Sequence, residues 1–158
     1  MQIQSRPYIF GDYENYLQAI TKENMQVLFI DNFGGWSDEV SKRKLLTVAK
    51  TGKVELFFVK EKFVGYVSFE TEKNHIESIL IQDIHVIKKE QQKGYGETIL
   101  QFVVQAAVQS RKEQLKVFVF ENNPSLQFYT KHGFKKIEFL EKSKTSVSKK
   151  NKIMITEK

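Results

Sequence analysis

Gln91-Gln92-Lys93-Gly94-Tyr95-Gly96 is the segment of this sequence with the plainest chemical potential. It lies between an apolar run, Ser78 to Ile87, and an amphipathic run from Glu97 to about Arg111, so it reads as a turn from strand to helix. Two glycines two residues apart let backbone N–H groups approach an anion with no Cβ in the way. A helix N-terminus adds a partial positive charge of about half an elementary unit. Such a turn suits a pyrophosphate, with Lys93 at its rim, although the same turn also occurs as a plain structural corner. It is not a nicotinamide fingerprint, because Ile99 stands where a third glycine should fall, and the Gly-Lys-Ser/Thr of a P-loop is absent.

A second group of residues could handle protons. Asp83 sits in the middle of the otherwise apolar Ile79 to Ile87, where a charge is costly unless it has a task or a partner. His85 follows two residues later and shares its face if the strand is regular; a bulge would break that parity. The pair could equally serve structure alone, and Glu70 and Glu72 are reserve carboxylates. Asp31, Phe33, Trp36 and Asp38 form an acidic and aromatic group that could receive a cationic amine, or could simply supply a helix cap at Asp38 and core packing at Trp36. His75 and His132 have no partner at metal-ligand spacing, so no metal is predicted.

The elements that must position these residues follow from the periodicity. Tyr13, Tyr16, Leu17, Ile20, Val27 and Leu28 recur at helical spacing over 12–29, with Asp12 placed to cap the start. Phe33-Gly34-Gly35-Trp36 interrupts, and a second helix runs from about Ser37 to Ala49, closed by Gly52. Val54 to Val59 and Phe63 to Phe69, separated by Lys60-Glu61-Lys62, read as a hairpin. After the strand, turn and helix already named come a strand at Val117 to Phe120, a helix from Pro124 to His132 with Gly133 as its left-handed cap, and closing strands at Phe134 to Leu140 and Ile153 to Ile155. Glu141 to Lys152 reads as a loop. The order β-α-α-β-β-β-α-β-α-β-β makes an α/β domain on a mixed sheet.

With 158 residues, 41% of them hydrophobic and 28% charged, the chain fits one domain, residues 1–158. It has no cysteine, which excludes disulfides, thiolate metal sites and a cysteine nucleophile. The N-terminal residues lack a signal-peptide core and no apolar run reaches membrane-spanning length, so a cytoplasmic protein without membrane attachment is expected. The net charge of +6 is lopsided: residues 1–79 hold 10 Lys/Arg against 11 Asp/Glu, and residues 80–158 hold 15 against 8. A basic half could attract nucleic acid, but the aromatic-interleaved sheet pattern of RNA-binding folds and a helix-turn-helix are both absent, so no nucleic acid is expected.

Taken together, the motifs resemble the GNAT superfamily of acetyl-CoA-dependent N-acetyltransferases. Its pyrophosphate turn is Gln/Arg-x-x-Gly-x-Gly/Ala, which Gln91 to Gly96 matches at every defined position. Its second signature is an asparagine after the next strand and a helix ending in Leu-Tyr-x-x-x-Gly-Phe. Asn122, Ser125, Phe128-Tyr129, Gly133 and Phe134 stand there, with phenylalanine and serine replacing leucine and alanine. The likeness covers about Val54 to Leu140. The front end, with Arg6-Pro7-Tyr8, Asp12-Tyr13 and Trp36, more loosely resembles a bacterial subgroup of the superfamily.

The resemblance implies a single-domain GNAT-like fold, with a mostly antiparallel sheet of about seven strands and about four helices, and acetyl-CoA as cosubstrate. It implies cofactor contacts from His85, Val86, Gln91, Gln92, Lys93, Gly94, Tyr95, Gly96 and Asn122, with an oxyanion-binding N–H near Val86. It implies Tyr129 as proton donor to the departing thiolate, although a tyrosine there could also just pack its ring under the sheet. In some polyamine-acetylating relatives an acidic residue stands where Asp83 does, which makes Asp83 the first candidate for base or substrate anchor. Phe33 and Trp36 would line the acceptor side. The expected activity is acetyl transfer to a primary amine, small or peptidic, by direct attack in a ternary complex in a monomer or homodimer. The competing expectation is a CoA-binding sensor without turnover.

Overall fold

The computed structural model describes the backbone of residues 2–120, 122–141 and 150–157, and the side chains of residues 2–120 and 122–135. The apolar hairpin forms as two long strands, β2 (Lys53–Val59) and β3 (Lys62–Glu72), because Lys60 and Glu61 take the two left-handed turn positions at φ 51° and 66°. On the outer side β2 pairs antiparallel with the first strand, β1 (Ile3–Pro7), and β3 pairs antiparallel with β4 (His75–Val86). The next strand, β5 (Gln114–Phe120), runs parallel to β4. It is followed by β6 (Lys135–Glu141) and β7 (Lys150–Glu157), giving the order β1-β2-β3-β4-β5-β7-β6. The fold is α/β on a mixed, mostly antiparallel sheet, as the sequence implies.

Two helices pack on each face. On one face lie α1 (Gln18–Phe33) and α2 (Asp38–Thr51), whose Ile20, Leu45 and Val48 meet Val54, Leu56, Phe63 and Tyr66 of the sheet. On the other lie α3 (Tyr95–Gln109) and α4 (Leu126–Lys131), where Ile99, Leu100, Val103, Ala107 and Tyr129 meet Val67, Phe69, Ile79, Ile81 and Val117. The apolar face of α3 recurs at helical spacing, which is why its burial follows the sequence pattern.

Some expectations are corrected. Asp12 caps no helix: its carboxylate takes both Arg6 guanidinium nitrogens at 2.7 and 2.9 Å and the Ile9 N–H at 2.8 Å, and a π-helical turn, Tyr13–Leu17, leads into α1. The cap of α2 is the Ser37 hydroxyl, which accepts from Val40 N at 3.2 Å, while Asp38 accepts from Trp36 instead. Of the expected loop Glu141 to Lys152, residues 142–149 lie outside the described residues, and 141 and 150–152 belong to β6 and β7. Among the described residues no helix is long and apolar enough to cross a membrane.

Candidate active site

Two irregularities in β4 create the site. First, Ser68 pairs with Asp83 and Phe69 with Ile81, so Gln82 is an extra residue, a bulge. Strand parity flips there: Ile79 and Ile81 face the α3 core, whereas Asp83 and His85 face α1 together with Ser68 and Tyr66. Because the bulge precedes both, Asp83 and His85 still share a face. Second, β4 and β5 pair only from Ser78–Gln114 to Ile81–Val117, and beyond that the two strands splay apart. The last third of β4, Asp83 to Val86, borders this opening.

The backbone at Val86 is oriented by the ladder. Ile87 N–H donates to Val64 O at 2.9 Å, and antiparallel pairs alternate, so the peptide groups of Val86 face away from β3 toward the splay. Its carbonyl there accepts the side-chain amides of Asn24 at 3.2 Å and Gln91 at 3.0 Å. Gln91 thus braces the end of β4 with its side chain.

The turn after β4 ends in a helix N-terminus made of backbone. A short 3-10 turn at Lys88–Glu90 is followed by Gln92 at φ 63° and Gly94 at φ 87°, and Gly94 directly precedes α3. The N-cap residue, Gly94, has no side chain with which to cap this helix, and the first helical bond runs from Thr98 N to Gly94 O at 3.2 Å. The N–H groups ahead of Thr98 have no intrahelical acceptor and point out of the helix end. No atom lies within 4 Å of a Cβ built on Gly94, whereas one on Gly96 would meet the Phe128 ring at 3.3 Å. Gly94 therefore supplies the left-handed bend, and Gly96 the close approach of α3 to α4.

Side chains of the turn contribute less than expected. The Lys93 ammonium is bound by Glu90 at 3.0 Å, and Glu90 is also held by Lys62 at 3.3 Å. Hydrogen bonds from these two lysines lower the Glu90 pKa, and Glu90 in turn raises that of Lys93. Tyr95 buries its ring in the α3 core, so only its backbone borders the turn. Asn122 leans the other way, its Oδ1 accepting from the buried Asn32 of α1 at 3.0 Å.

On the α1 side, Asp83 accepts from Ser68 Oγ at 3.2 Å and from His85 Nε2 at 3.2 Å. Burial pushes its pKa up, but the interactions with His85, together with the Ser68 hydrogen bond and the more distant Lys44 charge, outweigh that, and the carboxyl is held below its ordinary value. Tyr66, fully buried beside His85 with ring centroids 5.5 Å apart, shares a 2.6 Å hydrogen bond with Thr21 Oγ1. On the other face of the sheet, in the α3 core, lies Tyr129, 5% exposed. Burial, helped by the Asp83 charge, raises its phenol well above the ordinary value, which keeps the proton on at any working pH.

Phe33 and Trp36 lie in an aromatic cluster with Phe29 and Phe120, at ring separations of 5.1 to 5.6 Å. Phe120 ends β5, so the cluster joins the end of α1 to the strand that bounds the splay. The Trp36 indole donates to Asp38 at 2.8 Å, and Lys22 pairs with the same carboxylate at 3.6 Å; Asp31 is exposed. Glu72 is held by Lys116 at 2.7 Å, and Glu70 accepts weakly from Gln82 at 3.5 Å. His75 and His132 contact Glu77 and Glu97 at 3.8 and 3.9 Å.

Sequence reasoning missed Thr21, Asn24 and Asn32. Their spacing along α1 puts them on its inner face, and each hydrogen-bonds across to β3, β4 or the segment after β5. Polar residues on the buried stripe of an amphipathic helix were the available signal.

Comparison with known proteins places this arrangement. No curated protein shows a significant sequence match. Similar solved structures include a Desulfovibrio desulfuricans protein assigned to the GNAT family, 15% identical with a TM-score of 0.77 and 99% of both chains covered. The PaiA N-acetyltransferase of Thermoplasma acidophilum in complex with coenzyme A is 18% identical, with a TM-score of 0.72 and all of both chains covered. A GNAT family acetyltransferase of Elizabethkingia anophelis with acetyl-CoA bound is 17% identical, with a TM-score of 0.72 over 99% of this chain and 98% of that one. At these identities the likeness establishes the fold. The family model for the acetyltransferase (GNAT) domain matches residues 52–136, from β2 through the splay, the glycine turn and α4, and the chain therefore belongs to the GNAT acetyltransferase family.

Proposed function

We propose that the protein transfers an acetyl group from acetyl-CoA to a primary amine. The observation that carries this reading is the splay between β4 and β5, with the left-handed Gly94 turn into α3 following the end of β4, Asp83 on the α1-facing side of that strand end, and Tyr129 in the α3 core within the influence of the Asp83 charge. The fit to the cosubstrate rests on the turn: N–H groups without an intrahelical acceptor, a left-handed glycine and open space where a side chain would stand suit a pyrophosphate. Acetyl-CoA supplies an activated thioester carbonyl.

The chain's residues then have separable tasks. The Val86 N–H, turned toward the splay, stabilises the oxygen that gains charge, a contribution of about 3 kcal/mol where such donors have been removed from enzymes. Asp83, ionised and held by two hydrogen bonds, pairs with the ammonium of the arriving amine. After loss of one proton to solvent, the amine's lone pair forms the C–N bond as the C–S bond breaks. The remaining excess proton on nitrogen passes to Asp83, directly or through water, and the Tyr129 hydroxyl gives its proton to sulfur. Proton return from Asp83 to the Tyr129 oxygen through water restores both groups. Phe33 and Trp36 wall the acceptor side and favour a cation through their ring faces.

Thiol release from acetyl-CoA, followed with a panel of small and peptidic amines alongside calorimetric CoA binding, tests the reading. Tyr129→Phe is expected to lower kcat about a hundredfold with CoA affinity kept. Asp83→Asn is expected to raise the KM for the amine. CoA binding without thiol release for any amine would leave a CoA-binding module in place of an enzyme.

A further inference from the structure

Asn24 lies on the inner face of α1, half-buried, and its side-chain nitrogen makes two contacts: 3.2 Å to Val86 O and 3.3 Å to His85 Nδ1. A carbonyl oxygen only accepts, so the amide nitrogen and not the amide oxygen must face Val86. That leaves the second N–H of the same nitrogen aimed at His85 Nδ1, which must then accept. An imidazole whose Nδ1 accepts carries its proton on Nε2, and Nε2 is the atom 3.2 Å from Asp83 Oδ1. The donors thus run in one direction, from Asn24 to His85 to Asp83, with Ser68 closing the far end on Asp83 Oδ2.

The direction matters for charge. An imidazolium would put an N–H against the Asn24 N–H, donor against donor, so the Asn24 contact matches a neutral ring. A neutral His85 orients Asp83 without neutralising it, and the cluster keeps a net negative charge facing the splay. The surrounding groups do not cancel it. From β3 come Ser68 and Tyr66, the latter with its hydroxyl occupied by Thr21 of α1; from α4 comes the neutral phenol of Tyr129. Lys44 of α2 acts only as a more distant charge, the weakest influence on Asp83.

We propose that Asn24 is a positioning residue that locks His85 in the Nε2–H tautomer, so that Asp83 presents an uncompensated carboxylate to a cationic amine, while the same amide braces the Val86 peptide at the splay. The inference rests on the reading of Asp83 as the amine's partner, but its core is a statement about one imidazole in the resting protein. It adds a specificity element to the front end of the chain: an acceptor that arrives as a cation is drawn in, and a neutral one is not.

Long-range proton–nitrogen correlation spectra of nitrogen-15-labelled protein at neutral pH read the ring states of His75, His85 and His132, assigned by His75→Gln and His132→Gln. The expected result is an Nε2–H tautomer for His85. Asn24→Asp, nearly isosteric, replaces the donor by an acceptor and is expected to convert His85 to the Nδ1–H form or the imidazolium. Asn24→Ala, which removes the donor without adding a charge, is expected to give a mixture of tautomers and serves if the aspartate variant does not fold. With the panel amine giving the fastest thiol release, both variants should raise the amine KM about tenfold, more than they change the acetyl-CoA KM. His85 in another state in the wild-type protein, a tautomer indifferent to both substitutions, or an unchanged amine KM overturns the proposal. The spectra need no turnover, so failure of the acetyl-transfer reading and failure of the tautomer lock register separately.

Discussion

The turn from Gln91 to Gly96 and the α1-facing end of β4 border the same splay but are built from opposite materials. The turn works through backbone: its side chains are spent elsewhere, Gln91 on Val86, Lys93 on Glu90, Tyr95 in the core. The β4 end works through side chains, with Asn24, His85, Asp83 and Ser68 joined by directed hydrogen bonds. A backbone site is written in six consecutive residues and carries across a family. A side-chain site depends on partners far apart in sequence, 61 residues apart for Asn24 and His85, and can be retuned one residue at a time.

The difference predicts where substitutions act. Gly94→Val should have the largest effect on the donor side: a β-branched residue at φ 87° costs about 1–2 kcal/mol in backbone strain and tilts the N–H groups, so CoA affinity should fall at least about tenfold by calorimetry. The amine KM should not follow. Next, Tyr66→Phe removes one partner of a buried 2.6 Å hydrogen bond and leaves the Thr21 hydroxyl unsatisfied, for a loss of about 1–2 kcal/mol in denaturant unfolding with CoA affinity kept. Lys93→Ala should weaken CoA binding less than about threefold, because its charge is already shared with Glu90 and screened at the surface. A large loss from Lys93→Ala together with a small one from Gly94→Val would reverse the contrast.

The same contrast explains what could be read beforehand. Local signals placed the elements: the β-branched and aromatic runs of β2 and β3, the helical face of α3, and Gly133, whose φ of 93° ends α4 as expected. The bulge at Gln82 gave no signal, because no glycine or proline marks it, although it turns Asp83 and His85 toward α1. Asp12 looked like a cap from its position before a helix, but a guanidinium six residues earlier offered two charge-assisted hydrogen bonds in place of one backbone N–H. Asn24 was silent because a polar residue in an amphipathic helix has no meaning until its partners on β4 are known.

A second carboxylate on the same sheet tests whether partners, and not burial alone, set the charge at Asp83. Glu55 on β2 is 4% exposed, and its Oε1 has no hydrogen-bond partner. Burial raises its pKa, and the nearby Lys53 and Arg6 charges do not reverse that. The signs of the two contributions to stability are therefore opposite. For Asp83, with its folded pKa lowered, stability is present above the unfolded value and is lost as pH falls through the folded one. For Glu55, the folded state binds the proton more tightly, so its contribution is full below the unfolded value and declines as pH rises toward the raised one. Glu55→Met should leave the low-pH limb of stability nearly as it is and be more stable than wild type at neutral pH by about 1–2 kcal/mol, the scale of one relieved unsatisfied group. Turnover should not change, since Glu55 lies on β2, two strands away from the splay. Equal gains at acidic and neutral pH would mean that Glu55 binds its proton alike in the folded and unfolded chain, and that burial without partners does not lift a carboxylate on this sheet.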